Sequence, residues 1–199
     1  MNYLAHLHIA KITNTSYVGN LLGDFVKGSV DSLVYNEDIK QGIKLHRAVD
    51  TFTDKHPFTR DLKQSLGQYR RYGGIVLDVF YDHQLALQFD NSNQSNSLDL
   101  FSFSQKAYQE LDLTTLMQQG YLFPERFVRV VKAMTEMDWL TGYSDIDNIE
   151  RALMGISHRL KRPVDLTQIL PWYETHFNEI NLGFLSFYQE LVSYAQENK

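Results

Sequence analysis

The chain has 199 residues, of which 43% are hydrophobic and 22% charged, and its formal net charge is -5. This length and mixture are typical of a globular protein with a sizeable core, so we expect residues 1–199 to form a single domain. Cysteine is absent, which excludes disulfides, thiolate metal sites and cysteine nucleophiles. The acidic balance argues against a nucleic-acid partner.

The N-terminal segment MNYLAHLHIAKITN has neither a basic leader nor a long apolar run, so it lacks the features of a signal peptide. No segment approaches the roughly 18 consecutive apolar residues of a membrane span. We therefore expect a cytoplasmic protein without a membrane partner.

Hydrophobic periodicity predicts an all-α chain. We expect helices near residues 2–10, 16–28, 36–54, in a short piece behind Pro57, and near 69–89, 98–118, 124–140, 145–161 and 165–196, the last kinked at Pro171 or Gly183. Asn36 is a suitable N-cap for the third helix. The segment DNSNQSNS at 90–97 predicts a loop. The pattern indicates a helical bundle rather than a Rossmann or barrel fold.

The third predicted helix carries polar groups within its apolar face. Residues at steps of four, three and four share one side of an α-helix, and here they are Ile39, Ile43, His46 and Asp50. The long fifth helix repeats this arrangement, since one of its sides presents Ile75, Asp78, Asp82, Leu85 and Phe89. Arg71 projects to that side as well, and His83 lies at its edge.

Burying a carboxylate without compensation costs several kcal/mol, so three aspartates on core-facing sides require counter-charge. Arg71 suffices for one of them, and a divalent cation between the two helices would serve the rest. Residues at i and i+4 lie close together, so each helix can offer two ligands. Carboxylates with one or two imidazoles suit Mn²⁺, Mg²⁺ or Fe²⁺ better than a structural zinc.

Two further segments bring polar side chains among apolar ones. Asp24 lies in GNLLGDFVKG at 19–28, where glycines permit close backbone approach. Asn2 and His6 form an i, i+4 pair at the start of the chain. The alternative is a buried salt-bridge network, for which Arg47, Arg60, Arg70 and Arg71 are available. No Walker A loop, HExxH, GxSxG or GxGxxG motif is present.

Five segments of the chain resemble, in order, segments of the acyl carrier protein phosphodiesterases, a helical family related to the HD-type metal phosphohydrolases. They are MNYLAHLHIA, GNLLGDFVKG, HRAVDTFTDKHP, RRYGGIVLDVFYDHQL and, more loosely, WLTGYSDIDNI. The resemblance covers most of the first 150 residues. It implies an HD-like bundle that removes the 4′-phosphopantetheine arm from holo-acyl carrier protein. It also implies Mn²⁺ as the metal, with Mg²⁺, Fe²⁺ or Co²⁺ as alternatives.

The resemblance also assigns roles to residues. It makes Asp24 essential, and the ion or its waters would be held by Asp24, His46, Asp50, Asp78 and Asp82. His6 or His83 would move the proton, because imidazole titrates near neutral pH. Phosphate charge would be neutralised by Arg71 together with Lys27 or Arg47. The chain departs from the usual HD pattern because it has no His-Asp dipeptide and Asp82-His83 is reversed.

The substrate protein implied by the resemblance is acidic, and so is this chain. Docking would therefore need a local basic surface, for which the candidates are Lys63, Arg70, Lys132, Arg159, Lys161 and Arg162. Two alternatives remain open: a phosphohydrolase of a nucleotide or another small phosphoester that uses the same metal, and a non-catalytic helical interaction module.

Overall fold

The computed structural model describes residues 1–89 and 98–199, and every regular element in these ranges is helical. The all-α prediction is confirmed. The α-helices are α1 (Tyr3–Thr13), α2 (Tyr17–Leu22), α3 (Glu37–Lys55), α4 (Pro57–Ser65), α5 (Gly73–Leu87), α6 (Leu100–Glu110), α7 (Leu113–Gln118), α8 (Glu125–Glu136), α9 (Trp139–Gly142), α10 (Ile146–Ser157) and α11 (Leu170–Glu197). Short 3₁₀ helices cover Val30–Ser32, Gly67–Tyr72 and Leu166–Ile169. The predicted loop at 90–97 lies outside the described residues.

The second helix ends at Leu22, so the predicted extension to residue 28 is wrong. A side chain from α3 holds the segment that follows. The guanidinium group of Arg47 donates hydrogen bonds to the carbonyl oxygens of Val26 (3.0 Å) and Gly28 (2.8 Å). These carbonyls are therefore satisfied without a continued helix. The predicted cap of α3 is confirmed, since the Asn36 side chain accepts from the backbone N–H of Ile39 at 2.9 Å.

Three other predicted helices have different bounds. The long fifth helix begins at Gly73, because residues 67–72 form a 3₁₀ helix instead. The predicted helix at 98–118 is divided, since Asp112 caps a new helix by accepting from Thr114 N and Thr115 N. The predicted helix at 124–140 is divided at Asp138, which adopts a left-handed conformation with φ of 46°. By contrast, neither Pro171, in the first turn of α11, nor Gly183 interrupts that helix.

Helix α1 lies at the centre of the bundle, where its residues from Leu4 to Ala10 are all buried. It contacts α2, α5 and α11, and α2 in turn crosses α3 very closely. At that crossing a Cβ added to Gly19 would lie 2.4 Å from the carbonyl oxygen of Ile39. Glycine is therefore required there, and the close approach brings the end of α2 beside the middle of α3.

Helix α11 closes the bundle against the helices that carry the predicted site. The Tyr188 hydroxyl lies 2.8 Å from Nδ1 of His8, and the Gln84 amide donates to the Tyr173 hydroxyl at 2.6 Å. The sequence suggested no role for the C-terminal residues. These contacts give them a structural role. In the described part of the chain, no helix combines the length and the apolar character needed to span a bilayer.

Candidate metal centre

Two histidines and an aspartate from α1 and α3 converge at one point. Nε2 of His6 lies 3.1 Å from Oδ1 of Asp50, and Nε2 of His46 lies 3.1 Å from Oδ2 of the same carboxylate. The two imidazole rings stack with centroids 3.9 Å apart, and both are buried. One donor atom from each of the three residues lies within 4.8 Å of the others, a spacing suited to a shared ion.

The backbone around His46 determines which nitrogen faces this cluster. Nδ1 of His46 lies 2.7 Å from the carbonyl oxygen of Asn20, and a carbonyl only accepts, so Nδ1 carries a proton. Nε2 of the neutral ring then presents a lone pair toward the carboxylates of Asp50 and Asp24. Such an arrangement is favourable only if Nε2 is protonated or a cation lies between these atoms.

Asp24 lies at the mouth of the cluster, in the segment that follows α2. Its Oδ1 is 3.3 Å from Nε2 of His46, and 55% of its side chain is exposed to solvent. Gly23 allows this approach, since a Cβ at Gly23 would lie 2.2 Å from Cδ2 of His46. Asp24 is thus the carboxylate of the cluster with the most access to solvent.

Burial and mutual charge shift the pKa values of these groups. Burial lowers the pKa of His6 to about 4, and the charge of His46 adds to this effect. Burial also opposes the charging of His46, but hydrogen bonds to Asp24 and Asp50 outweigh it and raise the pKa of His46 to about 9. The same hydrogen bonds overcome desolvation at both carboxylates and lower the pKa of Asp24 and, more strongly, that of Asp50. Without a metal, His46 is therefore the charged imidazole at neutral pH.

Asp78 and Asp82 have other partners within the described residues. The α-amino group of Met1 is buried and donates to Oδ1 of Asp78 at 2.7 Å and to Oδ1 of Asp50 at 3.3 Å. The carboxylate of Asp82 is fully buried and accepts from the backbone N–H groups of Asn2, Leu4 and Ala5 at 3.3, 2.7 and 3.2 Å.

These partners supply the compensation that the sequence analysis assigned to a metal. Three N–H groups in the first turn of α1 and the Met1 ammonium compensate the two aspartates of α5 without a metal. Burial nevertheless raises the pKa of both carboxyl groups, that of Asp82 to about 7. The part of Asp78 and Asp82 in metal binding stays a prediction, as does the full five-residue ligand set.

The remaining predicted site residues do not join the cluster through any contact among the described residues. Nδ1 of His83 donates to the carbonyl oxygen of Tyr143 at 2.6 Å. Arg47 holds the loop after α2, Arg71 is exposed with its guanidinium over the ring of Tyr72, and Lys27 is exposed. Their assignments as proton carrier and phosphate-binding groups also stay predictions.

Sequence reasoning placed His6 only among the proton carriers and did not consider the α-amino group of Met1. The spacing of His6 from Asn2 drew attention to this helix, but the carboxylate that His6 contacts belongs to Asp50 of α3 and not to its own helix. No sequence signal indicates the ammonium contact, because it depends on how the first turn of α1 meets α3 and α5.

The residues of the cluster fit a divalent cation. Neighbouring ligand atoms of an octahedral ion with bonds of about 2.1 Å lie roughly 3 Å apart, and the nitrogen–oxygen distances here are 3.1 to 3.3 Å. The position of His46 Nε2 between the carboxylates of Asp24 and Asp50 is the observation that most favours a cation, because a metal can take the place of the proton between these atoms. Two imidazoles with carboxylate oxygens are also a donor set that Mn²⁺ or Fe²⁺ accepts.

Comparisons with known proteins identify the family of the chain. The family model described as "Acyl carrier protein phosphodiesterase" matches residues 1–191. The chain is similar to the acyl carrier protein phosphodiesterases of Photorhabdus laumondii (34% identity over 100% of this chain and 96% of that protein) and Serratia proteamaculans (33% identity over 100% of both). The protein of that name from Yersinia enterocolitica is also 33% identical, again over the full length of both chains. No solved structure matches.

A family model that spans nearly the whole chain and full-length relatives above 30% identity make the relationship plain. The resemblance seen in the sequence motifs is confirmed, and the chain belongs to the acyl carrier protein phosphodiesterase family.

Proposed function

We propose that this chain, acting as one domain, hydrolyses the phosphodiester between 4′-phosphopantetheine and the serine of holo-acyl carrier protein, which leaves apo-acyl carrier protein. The observation that carries the proposal is the cluster of His6, His46 and Asp50 beside the exposed carboxylate of Asp24. Family membership supplies the substrate, since the relatives are named for it.

His6, His46 and Asp50 would hold a divalent cation through Nε2 and carboxylate oxygens. Mn²⁺ is the metal we propose, because a mixed imidazole and carboxylate set suits it. When bound, such an ion supplies Lewis-acid stabilisation of phosphoryl oxygens and lowers the pKa of a coordinated water. His46 is already oriented for this role by its Nδ1–H donation to Asn20.

Asp24 is the residue we assign to the attacking water. Its lowered pKa keeps the carboxylate ionised at neutral pH, and the exposure of its side chain gives water access to the carboxylate. The carboxylate would orient that water and accept its proton. His6 suits metal binding better than proton transfer, because a pKa of about 4 keeps its buried imidazole neutral.

Mass spectrometry of holo-acyl carrier protein incubated with this chain and Mn²⁺, with and without EDTA, tests the proposal. We expect a mass loss equal to the phosphopantetheine arm, and we expect EDTA to abolish it. No loss from a folded sample that binds Mn²⁺ would contradict the substrate, and nucleotide phosphoesters would then be assayed. A folded sample that binds no metal would favour the non-catalytic module.

A matched pair of variants on α3 tests the site itself. Asp50→Asn removes a carboxylate that contacts both histidines, and we expect both Mn²⁺ binding and turnover to be lost. Asp54→Asn makes the same chemical change one turn later, at an exposed residue whose carboxylate pairs with Lys63. It should retain both properties, and equal effects of the two substitutions would contradict the assigned centre.

A further inference from the structure

A cavity of about 630 Å³ opens beside the metal centre and has no part in the site described above. Its walls come from the start of α1, from α9 and from α10, and it is within the roughly 300–1,000 Å³ range of ligand pockets in proteins. The side chains of Asn2 and Tyr3 line it. The backbone N–H of Asn2 donates to Asp82, and Met1 contacts Asp50, so the cavity begins one residue away from the cluster.

Arg126 connects the rim of the cavity to the catalytic segment. It lines the cavity, and its guanidinium lies over the ring of Phe25, 5.4 Å from the centroid. Phe25 directly follows Asp24 in the chain. A ligand that runs from the cavity toward Asp24 would therefore pass a fixed positive charge, as the phosphate end of a substrate requires.

The lining of the cavity is amphipathic. One wall is aromatic, since Tyr3 stacks on Trp139 with centroids 6.1 Å apart, and another is aliphatic, from Ile149 and Ile156 of α10. The carboxamide of Asn148, which donates to the carbonyl oxygen of Gly142 and accepts from Arg151, adds polar surface to the lining. Such a lining suits a long, flexible ligand that alternates methylene groups with amides.

Three arginines and one aspartate line this cavity, namely Arg126, Arg151, Arg159 and Asp138, and the three arginines are exposed. A second cavity in the described residues, of about 780 Å³, has the opposite charge, because three acidic residues and one lysine line it. An anionic ligand carried by an acidic partner protein is therefore attracted to the first cavity and repelled from the second. Charge, rather than volume, distinguishes the two.

We infer that the cavity between α1, α9 and α10 receives the pantetheine arm of the carrier protein, with Arg126 toward its phosphate and Arg151 and Arg159 toward acidic side chains of the carrier. This inference rests on the proposed function and adds to it the subsite for the arm. The arm enters along the Tyr3–Trp139 wall, and its phosphate end lies toward Asp24.

Gly155 offers a way to fill the cavity without disturbing the fold. It lines the cavity from α10, and a Cβ added there meets no atom within 4 Å. The side chain in Gly155→Phe therefore projects into the open space. Gly155→Ala controls for the backbone change, and Met154→Phe places the same ring one residue away, at an exposed position that does not line the cavity.

The experiment compares the binding of holo- and apo-acyl carrier protein by calorimetry in the presence of EDTA, where no turnover occurs. We expect the wild-type chain to bind the holo form at least about tenfold more tightly. Gly155→Phe should reduce this preference to nearly one, whereas Gly155→Ala and Met154→Phe should retain it. With Mn²⁺, hydrolysis of bis(4-nitrophenyl) phosphate, which has no arm, should be equal in all four proteins.

A preference for the holo form that survives Gly155→Phe would overturn the inference, as would equal affinity of the wild type for both forms. The proposed function is judged separately, by loss of the arm from holo-carrier with Mn²⁺. A wild type that prefers the holo form but never releases the arm would overturn the proposed function while supporting the subsite.

Discussion

At the scale of single residues, three aspartates that sequence reasoning assigned to one metal have three kinds of partner. Asp50 contacts two imidazoles, and Asp78 contacts the ammonium of Met1. Asp82 accepts hydrogen bonds from backbone N–H groups at the start of α1. Each arrangement offsets the cost of removing a carboxylate from water. Among the described residues, the Met1 ammonium and backbone N–H groups compensate Asp78 and Asp82, and the cluster around Asp50 and His46 is the group that fits a cation.

Asp82→Ala should destabilise the chain by about 2–4 kcal/mol, because buried N–H groups of Leu4 and Ala5 lose their acceptor. Urea unfolding measures this change. Asp61→Ala, at an exposed position of α4, serves as the control and should change the free energy of unfolding by less than about 0.5 kcal/mol. Equal stabilities of the two variants would contradict a structural role for Asp82.

The pKa of His46 predicts how stability depends on pH when no metal is bound. Folding raises this pKa from 6.5 to about 9, so the charged imidazole stabilises the fold fully below pH 6.5 and the contribution is lost as pH rises through about 9. Because the partner carboxylates are partly exposed, we expect a contribution on the order of 1–2 kcal/mol.

Urea unfolding in EDTA at pH 7 and pH 10, for the wild type and His46→Gln, measures that contribution. The difference in free energy of unfolding between the two proteins should be larger at pH 7. A difference that does not change with pH would show that His46 is uncharged in the folded chain.

At the scale of elements, the site depends on how closely α2 and its following segment approach α3. Gly19 lets the two helices cross, and Gly23 leaves space for the ring of His46. Arg47 then holds the carbonyls of Val26 and Gly28 in the segment after α2, and Asp24 in that segment lies at the mouth of the cluster. The short length of α2, which periodicity alone did not predict, is what brings Asp24 to His46.

Gly23→Ala should therefore lower the affinity for Mn²⁺ by at least about tenfold, because the added methyl group collides with Cδ2 of His46 and turns the ring away from Asp50. Titration calorimetry with Mn²⁺ alone measures the loss. Gly74→Ala is the matched control, since its Cβ would meet only the end of the flexible Lys63 side chain at 3.7 Å. The prediction fails if the two variants bind Mn²⁺ equally well.

At the scale of the whole molecule, an acidic chain must bind an acidic partner. The net charge of -5 repels a second anion, whereas the arginines around the cavity of α1, α9 and α10 attract it locally. Of the basic residues proposed from sequence for docking, Arg159 lies at this cavity, while Lys63 is paired with Asp54. The local field at the cavity, rather than the total charge, is expected to govern docking.

The KM for holo-acyl carrier protein should therefore rise about tenfold between 50 and 500 mM NaCl, because salt screens charges that are exposed to solvent. Steady-state kinetics with Mn²⁺ present would measure it. Hydrolysis of bis(4-nitrophenyl) phosphate should change much less over the same range, because it needs only the buried centre. A KM for the carrier that is indifferent to salt would contradict electrostatic docking.

The sequence by itself determined the helical class, the cap at Asn36 and the family, and it singled out His46, Asp50 and Asp24 as candidates, because these depend on local periodicity and on short motifs. It did not determine the candidate metal cluster. His6 and Asp50 lie 44 residues apart in the chain and meet only because α1 is buried against α3.

The tertiary structure likewise decided the partners of Asp78 and Asp82, the early end of α2, and the arginine-lined cavity beside the first turn of α1. Each of these depends on groups from several helices meeting in space. Periodicity reports which face of a helix is buried, but it does not report what that face will contact, and here those contacts decide which carboxylates have a partner in the protein and which are placed to share a cation.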